Sequence, residues 1–379
     1  MNLSLSDEQV FLRDAARGAL SRFDTLEAAR TGLEDAATLP DLWPTAVEAG
    51  WPGMLIPEDA GGAGLAPFDA MLVAEEIGRA LAGVPFLGVL PATVLLAAGG
   101  DDRLAAVAGG QTRVAYVPAR PPGDLDEPEW TTDAAGGGRG PAFQAGGAEG
   151  ALALSGRAAY VPDAHGAELL VVIAVDERGE PVAAVVEAGA SGVAVEHVQR
   201  YDATRSLAHV TLEGAPARPL SCSTEDMGRA WHLAQALIAA EAVGTVAAAH
   251  EMMLAYAKER FTFGRAIGSY QAVKHEIVEV LRQLENARSL LFYAGWAGER
   301  RPEEFALAAS AARTSAGGAL DMAARANINV HGGIGATWEH DAPLYFRRAQ
   351  VTRRLVGGHG DAADRVAGEL LLVADAAQG

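Results

Sequence analysis

The sequence has very little cysteine. Cys222 is the one cysteine among 379 residues, so no disulfide can form within the chain. A lone thiol with no cluster of cysteine and histidine around it is also a poor start for a zinc site. The composition therefore fits a reducing compartment, which we expect to be the cytoplasm, and we expect no metal.

Positive charge is scarce as well. The formal net charge is -19, and no run rich in lysine and arginine provides a local exception. A protein with this charge repels phosphate backbones. We therefore expect no nucleic-acid partner.

Long apolar runs and a basic N-terminus are also missing. The chain begins MNLSLSDE, with acidic residues where a signal peptide carries basic ones. No apolar run reaches the roughly 18 residues that cross a membrane. We expect a soluble protein that does not bind a membrane.

What the sequence does contain is enough apolar material for a large core. Half of its residues (50%) are hydrophobic, and this length predicts two or three compact units. From Ser6 to about Leu96 the apolar residues recur at helical spacing, with Ser6 placed to cap the first helix. Proline and glycine crowd into residues 57–65, which predicts a loop there.

The middle of the chain changes to short apolar runs bounded by glycine, proline and aspartate, a pattern typical of strands. Residues 136–141 and 146–150 are so rich in glycine that we expect long loops. The predicted strands are 114–117, 169–175, 182–186 and 208–212.

The helical period returns after Ser223 and predicts long helices at about 225–259, 270–298 and 302–329. The order helical, strand, helical indicates an α+β fold with a β unit between two helical ones. The predicted domains are 1–113, 114–220 and 221–379.

Two C-terminal blocks carry a family resemblance. Residues 258–275 read KERFTFGRAIGSYQAVKH, and residues 329–341 read NVHGGIGATWEHD, followed by YFRRA at 345–349. Both blocks resemble the acyl-CoA dehydrogenases, and weaker likeness at 50–58 and 74–79 extends the match; only about 118–150 departs from it. The resemblance, to a bacterial member of the family, implies an N-terminal helical domain, a middle β-barrel-like or sandwich domain and a C-terminal four-helix bundle.

The resemblance also implies a cofactor, FAD, which lies across a subunit interface in that family. An arginine suits a diphosphate, and glycines let backbone amides approach phosphate closely. The alternative is that these residues only shape a connection between helices. By resemblance, the flavin-binding residues are Arg260, Thr262, Phe263, Gln271, Asn329, Gly332 and Gly333, with Tyr160 covering a face of the flavin ring.

The part of the site where the family carries its catalytic base, called here the reacting end, departs from the family pattern. The position of the usual catalytic glutamate is taken by Val356, and the alternative position on the preceding helix is taken by Ala234. Glu241 lies seven residues further along that helix, on nearly the same face. Surrounded by alanine and valine, it is either a desolvated base, the partner of a buried basic group from another helix, or a residue that faces a wet interface, and the sequence leaves these alternatives open.

Three further positions depart from the family pattern. His232 to Gln235 replaces an Asp-x-x-Arg that contacts CoA or the acyl chain in the family, so this sequence lacks those usual contacts with the thioester substrate. Pro162 replaces a hydroxyl donor beside the flavin and cannot donate through its backbone nitrogen either. The family's Thr-Glu-Pro loop is absent near 118–123.

Other polar residues have simpler interpretations. Residues 202–205 read DATR, for which we expect a surface ion pair. His275, His331 and His359 belong to no cluster with the spacing of a metal site or a catalytic triad, and we expect structural roles for them.

Three functional hypotheses follow. The first is an FAD-dependent acyl-CoA dehydrogenase of fatty-acid metabolism that forms an α,β-double bond in an acyl-CoA thioester, with Glu241 or a partner's residue as base. The second is a silent subunit that completes the FAD site of an unlike sister chain. The third is a flavoenzyme diverted to a substrate without CoA. By resemblance, the partners are an electron-transfer flavoprotein and the other subunits of a homotetramer or heterotetramer.

Overall fold

The computed structural model describes residues 4–123, 129–147, 151–199 and 201–376. Helices come first, strands follow, and long helices end the chain, so the predicted α+β class is confirmed. The domain boundaries themselves stay a prediction. The N-terminal helices are α1 (Asp7–Leu20), α2 (Thr25–Thr31), α3 (Trp43–Glu48), α4 (Pro67–Arg79), α5 (Val89–Ala98) and α6 (Leu104–Ala108).

The first helix begins as the sequence predicts. The Ser6 hydroxyl accepts a hydrogen bond from the Gln9 amide at 3.2 Å, and the Gln9 side chain accepts one from the Ser6 amide at 3.2 Å. This reciprocal capping satisfies two donors that the helix itself cannot pair. The predicted loop at 57–65 contains a single 3₁₀ turn, Glu58–Ala60.

The predicted strands are confirmed, and the structure adds others between them. Glycine and alanine keep several of the added strands short, which hides them from a periodicity argument. The strands are β1 (Val114–Val117), β2 (Thr131–Asp133), β3 (Arg139–Pro141), β4 (Phe143–Gly146), β5 (Leu152–Pro162), β6 (Leu169–Val175), β7 (Pro181–Glu187), β8 (Val193–His197) and β9 (Leu207–Pro219).

The main sheet closes on itself. Strand β6 pairs with β7 along its whole length, and it also pairs with β1 and β4. The path from β4 continues through β5 and β9 back to β7, which completes a ring. Phe143, Leu154 and Val172 are fully buried in a core of their own. The β-barrel-like middle expected from the resemblance is therefore present.

The expectation of loops at 136–141 and 146–150 is wrong in part. Strands β2 and β3 form an antiparallel hairpin whose turn is closed by hydrogen bonds between Ala134 and Gly138 (2.8 Å) and between Gly137 and Ala134 (2.9 Å). Gly137 takes a φ of 81°, which glycine adopts without strain. The glycines therefore make the turn of a hairpin, β4 extends to Gly146, and residues 148–150 lie outside the described residues.

The predicted C-terminal helices are confirmed to within a few residues. The third begins later than predicted, because Pro302–Glu304 forms a 3₁₀ turn before it. A short hairpin lies between the first two helices. The elements are α7 (Thr224–Glu259), β10 (Phe261–Thr262), β11 (Arg265–Ala266), α8 (Gln271–Arg300), α9 (Phe305–His331), α10 (Ala342–Thr352) and α11 (Gly358–Ala376).

Helices α4 and α7 cross at very close range. A Cβ added to Gly244 would lie 1.8 Å from the Glu75 carbonyl oxygen, and one added to Gly78 would lie 2.0 Å from the Glu241 carbonyl oxygen. The Thr245 hydroxyl donates to the Gly78 carbonyl at 3.0 Å across the same crossing. Glycine thus lets the two backbones touch, which fixes Glu241 deep in the protein.

Helix α7 is also long and apolar enough to cross a membrane by length and composition, which the sequence expectation did not foresee. Within its most apolar window, 72% of the residues are buried inside the protein. Helices α4, α5, α8, α9 and α10 pack against it, so most of its apolar surface is covered by the rest of the chain.

Candidate functional site

The residues expected to bind flavin, apart from Tyr160 on β5, lie at one end of the helical bundle. The C-terminal ends of α7 and α9 and the N-terminal end of α8 meet there. The Asn329 side chain donates to Glu276 of α8 at 3.3 Å, and the ring of His331 lies 4.3 Å from the ring of Tyr256 of α7. The structure therefore brings together segments that are far apart in the sequence.

The β10–β11 hairpin projects from this end. Phe263 is 97% exposed with a φ of 50°, and Phe261 is also exposed. Tyr270 holds the hairpin in place through two contacts. Its hydroxyl donates to the Thr262 carbonyl at 3.1 Å, and the Arg265 guanidinium lies 4.0 Å from its ring. A rigid hairpin thus presents two phenyl rings to the solvent.

Arg260 and the glycine turn after α9 are also accessible. Arg260 is exposed and has no carboxylate partner in the described part of the chain. A Cβ added to Gly332 or Gly333 would meet nothing within 4 Å, and Gly332 has a φ of 65°. Open backbone together with an uncommitted guanidinium can hold a diphosphate.

These residues fit one side of a dinucleotide such as FAD. Gln271 and Asn329 are exposed on the same end, and Thr262 is half-buried. Exposed groups of this kind cannot enclose a flavin unaided, because an enclosed site needs a second wall. The resemblance expects that wall to come from a neighbouring subunit.

The reacting end lies at the turn between α10 and α11. Val356 is 2% exposed and has φ 49° and ψ 58°, a conformation that a β-branched residue adopts only under constraint. The Gln235 side chain donates a hydrogen bond to the Val356 carbonyl. A buried valine holds the position where the resemblance expects a base.

Glu241 is bound rather than free. Its side chain is buried, and Oε2 forms an ion pair with Arg205 and lies 3.6 Å from Arg348. Arg348 in turn binds Asp202 at 2.5 Å and the Thr204 hydroxyl at 2.5 Å. Of the alternatives for Glu241, this geometry corresponds to pairing with buried basic groups, because Glu241 is the counter-ion of buried arginines.

The expectation of a surface ion pair at 202–205 is wrong. Asp202 and Thr204 are buried, because the turn before β9 inserts between α7 and α10. The Thr204 hydroxyl donates to Asp202 at 2.6 Å, so the turn is ordered by its own polar groups. The two arginines and their carboxylates therefore join the β barrel to the helices that pack on it.

Asp163 is a buried carboxylic acid that the sequence interpretation missed. It follows Pro162 with a φ of 59° and accepts a hydrogen bond from the Gly88 amide at 2.8 Å. Burial raises the pKa of Asp163 to about 7, against the opposing effects of that amide and of Arg205. A non-glycine residue with positive φ directly after a proline cannot be identified from a sequence pattern.

A second missed cluster surrounds the Val356 turn. Asp133 of β2 accepts a hydrogen bond from the Gly357 amide at 3.3 Å and lies 3.8 Å from Arg120, which forms an ion pair with Asp361. Burial raises the pKa of Asp133 to about 6, with Arg120 opposing the shift. The Arg120 guanidinium also lies 5.6 Å from the ring of Trp231. The turn that contains Val356 thus lies beside Asp133, Arg120 and Trp231.

Tyr160 is held in place on the other side of this cluster. It has a φ of 56°, its hydroxyl donates to the Ala135 carbonyl at 2.7 Å, and its ring lies edge-on to His209 at 5.0 Å. The hydroxyl is therefore engaged within the protein.

The positions that replace the family's thioester grip are buried. His232 and Gln235 are covered, and His232 Nδ1 has no hydrogen-bond partner among the described residues. Burial, and then the nearby Arg365, lowers the pKa of His232 to about 3, so the ring is neutral. Both side chains are therefore almost entirely removed from the surface, His232 at 6% and Gln235 at 2% exposed.

Four of the other histidines lie in pairs, with ring centroids 4.2 Å apart for His331 and His340 and 4.7 Å apart for His165 and His197. His331 Nδ1 lies 2.7 Å from the Asn327 carbonyl in its own helix, and burial lowers its pKa. His275 is exposed on α8, and His359 is half-buried beside Gly317, where burial lowers its pKa.

Two family models match the chain. One, described as acyl-CoA dehydrogenase, N-terminal domain, matches residues 6–104, and the other, described as acyl-CoA dehydrogenase, C-terminal domain, matches residues 227–368. The chain is 31% identical over 374 residues to acyl-CoA dehydrogenase IpdE2 of Mycobacterium tuberculosis, covering 96% of this chain and 98% of that protein.

A second relative is longer. The chain is 33% identical over 373 residues to acyl-CoA dehydrogenase FadE34 of Mycobacterium tuberculosis, covering 95% of this chain. That match covers 47% of FadE34, so this chain spans about half the length of that relative.

Solved structures share the whole fold. A variant of the Tcur3481–Tcur3483 steroid ACAD superposes with a TM-score of 0.85 at 27% identity, covering 99% of this chain and 100% of that one. The ChsE4–ChsE5 complex from Mycobacterium tuberculosis superposes with a TM-score of 0.83 at 24% identity, covering 98% of this chain and 99% of that one, and shows the fold alone.

Proposed function

Because the chain belongs to the acyl-CoA dehydrogenase family, we propose that it is one subunit of an FAD-dependent dehydrogenase that it forms with an unlike sister chain. Members of the family are FAD-binding oxidoreductases that act on CH–CH bonds of acyl-CoA. In this proposal the sister chain supplies the base that removes the α-proton of the thioester, and this chain completes the sister's flavin site. The bound flavin supplies the hydride acceptor for forming the α,β-double bond.

The reacting end of this chain carries the proposal. Val356 has no ionisable group, and Glu241 is the buried counter-ion of Arg205 and Arg348. Asp133 lies close to the turn but is engaged by the Gly357 amide and by Arg120. A base must face its substrate with a free lone pair. Glu241 Oε1 has no hydrogen-bond partner among the described residues, but the side chain is only 1% exposed, while its Oε2 and the Asp133 carboxylate are directed at protein groups.

The end of the helical bundle that carries Arg260 supports the second part of the proposal, that this chain completes the flavin site of the sister chain. Arg260 and the exposed phenyl rings of Phe261 and Phe263 point away from the chain's own core. A guanidinium without a carboxylate partner among the described residues suits a diphosphate held mainly by another subunit, and exposed aromatic rings suit burial against that subunit. Gly332 and Gly333 offer backbone amides beside them.

Three relatives support an unlike sister chain. This chain matches about half of FadE34, a protein long enough for two chains of this size in tandem. The Tcur3481–Tcur3483 and ChsE4–ChsE5 structures each name two components. Because the first is a steroid dehydrogenase at 27% identity, we propose a bulky, ring-bearing acyl group on CoA as the substrate class and an electron-transfer flavoprotein as the electron acceptor.

One experiment separates this proposal from a self-sufficient dehydrogenase and from a flavoenzyme diverted to a substrate without CoA. The chain is purified alone, and its visible spectrum is recorded anaerobically before and after acyl-CoA thioesters are added. We expect colourless, folded protein that gains flavin only when the sister chain is present. A yellow protein that a thioester bleaches would establish a self-sufficient enzyme, and a yellow protein that no thioester bleaches would indicate the diverted reaction.

A matched pair of variants tests the projecting hairpin. Phe263→Ala removes a ring that is 97% exposed, and Phe11→Ala removes one that is 75% exposed on α1. In the complex with the sister chain, we expect Phe263→Ala to weaken flavin retention at least about tenfold, or about 1.4 kcal/mol, and Phe11→Ala to leave it unchanged. Equal retention in both variants would contradict a role for the hairpin.

A further inference from the structure

The loop between α9 and α10 (the α9–α10 loop, residues 332–341) carries the two exposed glycines of the candidate diphosphate site. A histidine stands at each end of it: His331 is the last residue of α9, and His340 lies two residues before Ala342, where α10 begins. The two imidazole rings pack against each other with centroids 4.2 Å apart and a tilt of 46°. The ring contact therefore joins the two ends of the loop across its base.

His331 is the fixed side of this contact. It is 4% exposed, and its Nδ1 lies 2.7 Å from the Asn327 carbonyl of the same helix. The ring of Tyr256 in α7 lies 4.3 Å from its ring, so the stack continues into the helical bundle. The loop also folds back onto His331, because a Cβ added to Gly335 would lie 2.7 Å from the His331 Cβ. The loop thus rests on His331.

His340 holds the other end of the loop through a hydrogen bond. Its Nδ1 accepts from the amide of Ala342, a fully buried residue, at 3.0 Å. This amide is the first of α10 and has no acceptor within its own helix. From α2, Arg30 donates to the His340 carbonyl at 3.4 Å and forms an ion pair with Asp341. One imidazole and one guanidinium therefore fix this end.

The hydrogen bonds determine which ring nitrogens carry protons. A carbonyl only accepts, so His331 has a proton on Nδ1; an amide only donates, so His340 has none on Nδ1 and is neutral. Burial lowers the pKa of His331, with the Asn327 carbonyl opposing the shift. Burial and then His331 lower the pKa of His340; Asp341 opposes this shift and Arg30 adds to it. The neutral rings are thus the forms that the fold favours.

Protonation of His340 would remove its contacts together. The new N–H on Nδ1 would face the Ala342 amide, so a buried donor would lose its acceptor. The positive charge would lie at the N-terminus of α10, where a helix disfavours cations. It would also lie against His331, and protonation of both rings would place two cations with centroids 4.2 Å apart.

The charged groups around the stack do not compensate for such a proton. Asp341 is paired with Arg30, which also lies 3.3 Å from Glu27 of α2. Glu339 is on the same loop but is exposed to solvent. From α7, Tyr256 contributes an uncharged ring.

We propose that His331 and His340 are positioning residues that hold the α9–α10 loop in the shape that accepts the diphosphate of a dinucleotide, and that protonation of His340 releases the loop. The inference rests on the proposed function, in which this loop completes the sister chain's flavin site. Gly332 and Gly333 meet the diphosphate, and the two histidines act through them. The hold is complete above the ordinary histidine pKa of about 6.5 and is lost as pH falls through the lower pKa of the folded chain.

Two variants of His340 separate the hydrogen bond from the ring contact. His340→Asn keeps an acceptor two residues before the Ala342 amide, as in an Asx turn, but does not titrate. His340→Phe keeps a ring against His331 but removes the acceptor. His165→Asn is the matched control, because His165 lies between β5 and β6 and forms the other histidine pair, with His197 of β8 at 4.7 Å.

The experiment has one readout with flavin and one without it. The complex with the sister chain is loaded with FAD and dialysed at steps between pH 8 and pH 5, and the retained flavin is measured. In this chain alone, hydrogen–deuterium exchange of residues 332–342, expressed as protection relative to the intrinsic rate at each pH, reports the loop. Thermal unfolding at pH 8 establishes that each variant is folded.

We expect wild type and His165→Asn to lose flavin retention at least about tenfold between pH 7.5 and pH 5.5, with protection of the loop falling over the same interval. His340→Asn is expected to lose less than about threefold over that interval, because its acceptor does not titrate. His340→Phe is expected to retain flavin at least about tenfold more weakly than wild type already at pH 7.5, with little further change at lower pH.

Three results would overturn the inference. One is a His340→Asn complex that loses flavin as steeply with falling pH as wild type does. Another is loop protection in the wild-type chain that does not change between pH 7.5 and pH 5.5. The third is a His340→Phe complex that matches wild type at pH 7.5. The proposed function fails separately, if the chain without its sister retains a flavin that a thioester bleaches; the same variants then test His340 on that flavin.

Discussion

Glu241 and Arg348 face each other inside the protein, with carboxylate Oε2 3.6 Å from guanidinium Nη1, and Arg205 binds the same oxygen. Both side chains are 1% exposed. A carboxylate in this position neutralises cations that the fold has removed from water, and removing it leaves buried charge without a counter-ion. The role of Glu241 can therefore be tested by measuring the free energy of unfolding of a variant as well as its activity.

Glu241→Gln is expected to lower the free energy of unfolding by about 3–5 kcal/mol, the usual cost of breaking a buried ion pair. Glu251→Gln is the matched control, because Glu251 pairs with Arg79 at the surface and its side chain is 57% exposed. The control is expected to cost about 1 kcal/mol or less. Urea unfolding of the two variants gives the comparison. Identical midpoints would contradict the counter-ion role and would return Glu241 to the list of candidate bases.

The stability of the chain is expected to fall as pH rises from about 4 to about 7. Asp163 has a pKa raised to about 7 in the folded chain, above its value in an unfolded chain. The folded state therefore keeps this proton to higher pH than the unfolded state does. The resulting stabilisation is complete below the unfolded pKa and is lost as pH rises through the folded pKa.

Asp163→Asn tests this assignment, because asparagine can still accept the hydrogen bond from the Gly88 amide but does not titrate. We expect the variant to lose this part of the pH dependence and to be more stable than wild type at pH 8. Thermal unfolding measured at intervals between pH 4 and pH 8 gives both curves. Parallel curves for variant and wild type would show that another group dominates.

Gly244→Ala is expected to destabilise the chain by about 1–3 kcal/mol or more, because the new methyl group meets the Glu75 carbonyl at 1.8 Å. Gly228→Ala is the matched control in the same helix, since a Cβ there meets nothing within 4 Å. That control is expected to gain about 0.5–1 kcal/mol from alanine's higher helix propensity. Chemical denaturation of both variants measures the difference, and a stable Gly244→Ala protein would show that α4 can move away from α7.

Local signals were sufficient for most of the fold. Ser6 caps its helix, Leu169–Val175 forms the predicted strand, and the long C-terminal helices begin and end near the predicted residues. Each of these depends on neighbours within a few positions. The exceptions are the β2–β3 hairpin, where glycine composition suggested a loop, and α7, whose overall apolar character was underestimated.

The site was less accessible from the sequence. The resemblance names Arg260 and Gly332 as flavin-binding residues, and the structure brings their segments to the same end of the bundle, while flavin binding itself stays a prediction. The partner of Glu241 is 36 residues away, and the Asp133–Gly357 hydrogen bond joins residues 224 apart. Packing between helices and strands decides which charged residues form ion pairs, and neither the periodicity nor the spacing of the sequence encodes that pairing. For that reason the ion pair at 202–205 was expected on the surface.

The closed barrel also sets an order of events during synthesis. Strand β6 is made before β7 and β9, and the ring cannot close until β9, which ends at Pro219, pairs with β5 and β7. Until then the apolar residues of β6, such as Leu170 and Val172, have no enclosed core to enter. A nascent chain paused before β9 therefore leaves the ribosome tunnel with open strand edges, which makes it a target for chaperones and for aggregation.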